Sequence, residues 1–472
     1  MDRRFPTGFV IGAATAAYQI EGAAAADGRG ESIWDRFSHT PGRVARDQTG
    51  DVACDHYHRF PEDVGILAEL GLDAYRFSVA WPRVIPAGSG PVNGAGLDFY
   101  DRLVDLLLER GVSPQLTLYH WDLPQALEDA GGWPVRATAE AFAEYAGVVA
   151  RRLGDRVRQI ATINEPFVVA DHGYGRGLHA PGRAEPAAAL AAGHHLLVAH
   201  GLAVAAIRAA APRAAVGIVL NLAPQHPATQ HPLDLEAAAA GHEVLNRWYL
   251  DPIVGRGYPE EAVRRAGWRH REIRDGDLAL IAAPIDFLGV NYYSRRVVRS
   301  PLLPAFDTPS VAPERTAMGW EVHPAGLVEV LEFVRSRTGR LPLFVTENGA
   351  AYPADSGDPS RDPERLRYLH RHLEAALTAI ERGVPLAGYF AWSLLDNFEW
   401  AHGYDFRFGI VHVDFTTQQR TIRDSGRFLG SVARGHLLPA LDARPGEEAP
   451  EMGPRASGPT GRPPRLPGPE AA

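Results

Sequence analysis

The stretch Gln159-Ile160-Ala161-Thr162-Ile163-Asn164-Glu165-Pro166 is a short, β-branched apolar run that ends in an acid and a proline. A second stretch, Leu341-Pro342-Leu343-Phe344-Val345-Thr346-Glu347-Asn348-Gly349, has the same plan. Runs of this length and composition read as buried strands. Pro166 cannot continue a ladder, and Asn348-Gly349 reads as a turn that closes the second strand. Each stretch therefore sets one Glu at the C-terminal tip of a strand. In a barrel of parallel strands, that tip is where site residues gather.

The same unit recurs outward from these two runs. Candidate strands are 9–13, 74–80, 113–120, 159–164, 215–220, 287–292, 343–347 and 388–393. Helix-like patterns separate them. The clearest spans Leu97 to Arg110, with Leu97, Tyr100, Leu103, Val104, Leu107 and Leu108 on one face and Gly111 as a stop. Eight strands, each followed by at least one helix, predict an α/β fold, a single (β/α)8 TIM barrel with elaborated βα loops over residues 1–443. A doubly wound open sheet is the alternative, and no Gly-rich phosphate turn follows an early strand to favour it. Residues 444–472 are dense in Pro and Gly and nearly free of large apolar side chains. They predict a disordered tail, because such a segment cannot bury enough surface to offset its ordering entropy.

Bulk composition excludes several classes. The chain has 472 residues, 45% apolar and 22% charged, which are ordinary globular values. The net charge of −9 comes with both signs spread along the chain, so no basic stripe suggests nucleic acid. Every basic residue is Arg. With no Lys, a Schiff base and a Gly-Lys-Ser phosphate loop are both excluded. Cys54 is the single cysteine, so no disulfide forms within the chain, which fits a reducing compartment. The N-terminus shows no signal-peptide pattern, and no run free of charges or turn residues reaches membrane-spanning length. The expectation is a soluble cytoplasmic protein with no membrane partner; the oligomeric state is open. The pairs His56-Tyr-His58 and His370-Arg-His372 lack a Cys or acid cluster to complete a metal site and read as structural or surface histidines. Gly173-Tyr-Gly175-Arg-Gly177 does not match a dinucleotide fingerprint. No metal or cofactor is expected.

Two acids at strand tips, far apart in sequence, suggest a carboxylate pair, and glycoside hydrolysis uses such a pair. One member must stay ionised, which calls for a cation or donors beside it. Arg76, in Tyr75-Arg76-Phe77-Ser78, and Tyr293 are candidates. The other must hold a proton near neutral pH, through apolar burial or a negative neighbour. Aromatics support a sugar as the ligand. Trp121 follows His120, and Trp392 and Trp400 frame a segment that contains Glu399. Indole packs on the C–H faces of a sugar, while Gln19, His120, Asn164 and Glu399 could pair with its hydroxyls.

Taken together, the ordered motifs resemble glycoside hydrolase family 1, the β-glucosidase family. They include Phe9-Val-Ile-Gly-Ala-Ala-Thr-Ala-Ala-Tyr-Gln19-Ile-Glu21-Gly, Asp55-His-Tyr-His-Arg, Tyr119-His-Trp-Asp-Leu-Pro, Asn164-Glu-Pro and His179-Ala-Pro-Gly. They continue with Asn291-Tyr-Tyr-Ser, Thr346-Glu-Asn-Gly and Trp392-Ser-Leu-Leu-Asp-Asn-Phe-Glu-Trp400. The resemblance runs from about Phe5 to Leu441. It implies a retaining exo-β-glycosidase acting on β-glucosides and short oligosaccharides, with Glu165 as acid/base and Glu347 as nucleophile. It implies that Arg76, Asn291 and Tyr293 hold the nucleophile. Gln19, His120, Trp121, Asn164, Glu399 and Trp400 would bind sugar, with Trp392 beneath the glycone. Trp320 would lie on the aglycone side and Phe408 near the pocket mouth. Galactosides and fucosides are expected as secondary substrates. Transglycosidase activity and an inactive sugar-binding barrel are the alternatives. The chain departs from the family's pattern at Ile11, usually aromatic, at His402, often an acid, and at His412, often Tyr.

Overall fold

The computed structural model describes residues 3–269, 272–303, 314–353 and 357–440. The tail expected at 444–472, and the boundary before it, lie outside the described residues. The compact unit spans Met1–Pro439.

Eight parallel strands close into a barrel. They are β1 (Val10–Ala14), β2 (Ala74–Ser78), β3 (Ser113–Tyr119), β4 (Gln159–Asn164), β5 (Ala215–Asn221), β6 (Phe287–Asn291), β7 (Leu343–Asn348) and β8 (Leu386–Trp392). Each pairs with its neighbours in sequence, and β8 pairs with β1 to close the ring. The expected (β/α)8 barrel is the fold, with strand ends shifted by one or two residues. The strands are apolar almost throughout because helices cover one face and barrel packing covers the other. Ile11 is completely buried beside Tyr389 of β8, and its N–H donates to Asp73 at 2.9 Å, so the missing aromatic leaves this position well packed.

The helix expected from Leu97 begins earlier, at Gly94, and ends at Glu109. Leu97, Tyr100, Leu103, Val104 and Leu107 form its buried stripe. Leu108 was expected on that face, but it is 43% exposed. It lies one helical step, about 100°, beyond Leu107, past the edge of the stripe.

Pro186–Ala210 is a 25-residue helix long and apolar enough by composition to cross a membrane. It lies between β4 and β5, where the alternation of strands and helices places a helix, and its glycines interrupt the apolar run. Most of it is buried: it packs on the helix Arg136–Leu153, on the turn Val169–Gly175 and on β4 and β5. A helix covered on several sides has no need of a polar face.

The strands that carry the two acids both slip register just before them. β4 shifts against β5 between Ala161 and Asn164, and β7 shifts against β6 between Val345 and Glu347. Such irregularities re-aim side chains at strand ends. The expected turn at Asn348-Gly349 is not a turn. Asn348 is fully buried within β7, donating to the Tyr292 carbonyl at 2.6 Å and accepting from Tyr389 at 2.5 Å. Gly349 is there for room: a Cβ would lie 1.7 Å from the Trp392 carbonyl oxygen. Gly349→Ala must push β7 away from β8 at the level of Glu347 and Trp392. It should lower the melting temperature by several degrees and kcat/KM by at least tenfold, measured by calorimetry and by hydrolysis of a chromogenic glycoside.

Candidate active site

Arg76 rises from β2 into the barrel mouth and is 2% exposed. Its fork serves several strands at once. Nη1 donates to Glu347 Oε1 at 2.7 Å and to the Thr346 carbonyl at 3.2 Å. Nη2 donates to Asn164 Oδ1 at 2.7 Å, and Nε donates to Thr117 Oγ1 at 3.1 Å. The Tyr293 hydroxyl donates to the other oxygen of Glu347 at 2.6 Å. Both oxygens of Glu347 thus accept from donors, one of them cationic.

Asn291 was expected on Glu347 as well, and here the structure differs. Its Nδ2 donates to Glu165 Oε1 at 2.6 Å and to Asn164 Oδ1 at 3.1 Å. Its Oδ1 accepts from Thr346 Oγ1 at 2.7 Å, which turns the amide donor toward Glu165. Arg76 and Tyr293 already occupy Glu347. A continuous chain of bonds therefore runs from Glu347 through Arg76, Asn164 and Asn291 to Glu165.

Glu165 sits in the left-handed region, at φ 51° and ψ 64°. A non-glycine residue held there stores about 1–3 kcal/mol of strain. Pro166, with its fixed φ, opens the short helical turn that follows. Burial and the charge of Glu347 push the Glu165 carboxyl up to about 8, against the lowering effects of Asn291 and Arg76.

The polar groups near the pair are oriented by second partners. Arg76 fixes the amide of Asn164, so Asn164 Nδ2 donates to His120 Nε2 at 3.1 Å. Burial and Arg76 hold the His120 ring well below its ordinary value, hence neutral, with its proton on Nδ1. That Nδ1 is buried with no partner. Gln19 repeats the pattern. Its Nε2 donates to Asn397 Oδ1 at 3.0 Å and to the Phe398 carbonyl at 2.8 Å, while its Oε1 is buried and unpartnered. One orphan donor and one orphan acceptor suit a polyhydroxylated ligand. Glu399 lies 3.5 Å from Gln19 Nε2, and burial together with Glu347 pushes its carboxyl up to about 8.

Rings wall the site. His120 stacks on Trp392 at 5.7 Å and 23°. Trp400 packs between Trp121, at 4.6 Å, and Trp34, at 4.5 Å. Trp121 and Trp400 both have positive φ, 80° and 52°. Trp320 lies 5.4 Å from Tyr293 and 6.1 Å from Phe408. Phe408, expected near the mouth, is 2% exposed and supports Trp320 and Tyr293 from within. Of the departures, His402 is exposed beside Phe406 at 5.0 Å, and His412 Nδ1 lies 3.3 Å from the buried Asp396. Neither stands among the groups around the acid pair. The histidine pairs serve the fold: His56 and His58 bond Asp63 and Asp55, and His370 and His372 bond the Pro439 and Tyr368 carbonyls.

The sequence reading missed Thr117, Thr346, Asn397 and Trp34 as supports. Asn397 lies two residues before Glu399, and Thr346 directly precedes Glu347. Thr117 and Trp34 look like ordinary strand and helix residues.

Arrangement and electrostatics allow one acid to react as an acceptor while the other carries a proton. The raised Glu165 value has a stability consequence. The folded state holds a proton that an unfolded Glu, titrating near 4.5, has already released. The contribution of Glu165 to stability is therefore fully present below the unfolded value and is lost as pH rises through the raised folded value. Glu165→Gln should raise the melting temperature more at pH 8 than at pH 5. Equal shifts at both pH values would remove the electrostatic account.

The profile for "Glycosyl hydrolase family 1" matches residues 1–437. "Thermostable beta-glucosidase B" of Thermobispora bispora is 50% identical over 446 residues, covering 93% of this chain and 92% of that protein. "Beta-glucosidase A" of Acetivibrio thermocellus is 47% identical over 441 residues, covering 92% and 98%. "Bifunctional beta-D-glucosidase/beta-D-fucosidase" of Bifidobacterium breve is 46% identical, covering 89% and 96%. Among solved structures, the Thermotoga maritima β-glucosidase in complex with glucoimidazole superposes with a TM-score of 0.87 at 45% identity, covering 91% of this chain and 98% of that one. A matched profile over nearly the whole described chain, on a barrel with two strand-tip acids, leaves one assignment: the chain belongs to glycosyl hydrolase family 1.

Proposed function

We propose that this chain is a retaining exo-β-glucosidase in which Glu347 is the nucleophile and Glu165 the acid/base. The observation that carries the roles is the contrast between the two acids. Glu347 has a donor on each oxygen, one of them the Arg76 cation, while Glu165 is pushed up by burial and by the charge of Glu347. A Glu347 oxygen attacks the anomeric carbon as the bond to the aglycone oxygen breaks, and Glu165 gives that oxygen its proton. The glycosyl ester that forms cancels the charge of Glu347. One of the two causes raising Glu165 then disappears, and its carboxyl becomes a base. It takes a proton from water as the water oxygen bonds to the anomeric carbon and Glu347 leaves. Two inversions give net retention.

His120 Nδ1–H, Gln19 Oε1 and Glu399 support recognition of an unmodified glycone. Glu399 accepts equally from an equatorial or an axial hydroxyl at C4, which supports galactosides and fucosides as secondary substrates. The double name of the Bifidobacterium breve relative agrees with this. Short β-linked oligosaccharides such as cellobiose are the proposed natural substrates, and the cytoplasm is the proposed location, which a single cysteine, Cys54, supports.

Glu347→Gly should abolish turnover of a nitrophenyl β-glucoside, and added azide should restore activity with an inverted product, read by NMR. A retained product would place the nucleophile elsewhere. Glu165→Ala should reduce kcat/KM far more for alkyl glucosides than for nitrophenyl glucosides, since only a poor leaving group needs protonation. Equal losses on both would count against the acid role.

A further inference from the structure

The tetrapeptide Tyr292-Tyr293-Ser294-Arg295 leaves β6 and faces two ways. Tyr293 holds Glu347. Its three neighbours all bond the hairpin 314–323, which carries Trp320. The Tyr292 hydroxyl donates to the His323 carbonyl at 2.6 Å. Ser294 Oγ donates to the Glu321 carbonyl at 2.8 Å. Arg295 donates through Nε and Nη2 to the two oxygens of Glu321, at 3.0 and 2.8 Å.

The fork is braced from behind. Arg295 Nη1 donates to His226 Nδ1 at 3.0 Å, which leaves the ring proton on Nε2 to donate to Glu329 at 2.8 Å. Burial works against charge on Glu321, yet the hydrogen bonds and charge of Arg295 hold its carboxyl below the usual value. A two-point fork fixes orientation as well as distance, which a single contact does not. Glu321 directly follows Trp320 in the chain, so fixing the Glu321 side chain and carbonyl fixes the backbone from which the indole projects. The hairpin closes around the same residue, with Thr316 N–H donating to the Trp320 carbonyl at 2.8 Å.

We infer that the Arg295–Glu321 fork is a positioning pair that sets Trp320 as a platform for the leaving group, so that one tetrapeptide aligns both the nucleophile and the aglycone. The inference rests on the proposed glucosidase reading, with Trp320 on the aglycone side. Neither Arg295 nor Glu321 touches substrate; they act through Trp320. The pair therefore determines specificity among aglycones and leaves the glycone to Gln19, His120 and Glu399.

The test is a double-mutant cycle read on two substrates. Trp320→Ala, Glu321→Gln and the double variant are assayed with nitrophenyl β-glucoside, whose ring can reach the indole, and with methyl β-glucoside, whose aglycone is too small to reach it. Glu321→Gln should lower the ratio of kcat/KM for nitrophenyl over methyl glucoside three- to tenfold, mainly through KM. Adding it to Trp320→Ala should lower the ratio no further, because two residues on one path are not additive. Arg295→Lys keeps the charge and loses the fork, and it should fall between wild type and Glu321→Gln. It also carries the cycle if Glu321→Gln does not fold. Additive losses, or equal losses on both substrates, would overturn the pair's positioning role. A ratio unmoved by Trp320→Ala would overturn the platform itself. Absence of glucoside hydrolysis by the wild type would instead remove the reading on which both rest.

Discussion

The guanidinium of Arg76 is the constraint on which the site's geometry depends. It is planar, charged and almost fully buried, so each of its N–H groups needs an acceptor close by. Those acceptors are Thr117 on β3, Asn164 on β4 and Glu347 with the Thr346 carbonyl on β7. One rigid group on β2 thereby sets the distances between strand tips that are far apart in sequence. Removing it would strand a buried carboxylate and a buried amide together, and such losses in a shared network exceed the sum of their parts. His120 depends on this too, at one remove: its tautomer follows from the orientation of Asn164, which follows from Arg76.

Much of the barrel was legible because its strands are short apolar runs at regular intervals, and their spacing survives small errors at the ends. Both acids were legible for the same reason, as polar residues at the tips of such runs. What sequence could not convey was direction. Asn291 is adjacent to Glu347 in the β6–β7 ladder, yet it serves Glu165, because the Thr346 hydroxyl captures its carbonyl side. Asn348-Gly349 has the composition of a turn, but Tyr292 and Tyr389 hold the Asn in the strand and the Gly only makes room for Trp392. Leu108 was misplaced for a related reason. A linear pattern marks a residue as apolar without giving the depth at which packing will leave it.

Three of the strained backbone positions lie where the chemistry is proposed. Glu165, Trp121 and Trp400 are non-glycine residues with left-handed φ. Each is held by a surrounding that over-determines it: Glu165 by Asn291 and Pro166, Trp121 by its indole N–H bond to the Asn164 carbonyl at 3.0 Å, and Trp400 by stacked rings. The segment that carries Glu399 and Trp400 is further pinned through Asp396, which is fully buried and accepts from Arg407 and Arg423. Rigid ends on a rigid barrel let side chains keep orientations that a mobile loop would lose.

The closure of the ring has a consequence for how the molecule is made. β1 lies between β2 and β8, and the short strand Arg3–Arg4 pairs with Leu437–Leu438, so one edge of the first barrel strand finds its partner only among the last residues. A growing chain on the ribosome carries β1 with one edge open until β8 has emerged. The same late segment brings Trp392, Glu399 and Trp400. A nascent chain that stops short of it has neither a closed sheet nor a complete sugar site, whatever its earlier strands have done. Enzymatic activity is thus a direct report that the chain has joined its two ends, and the open edge of β1 is the surface that synthesis must protect in the meantime.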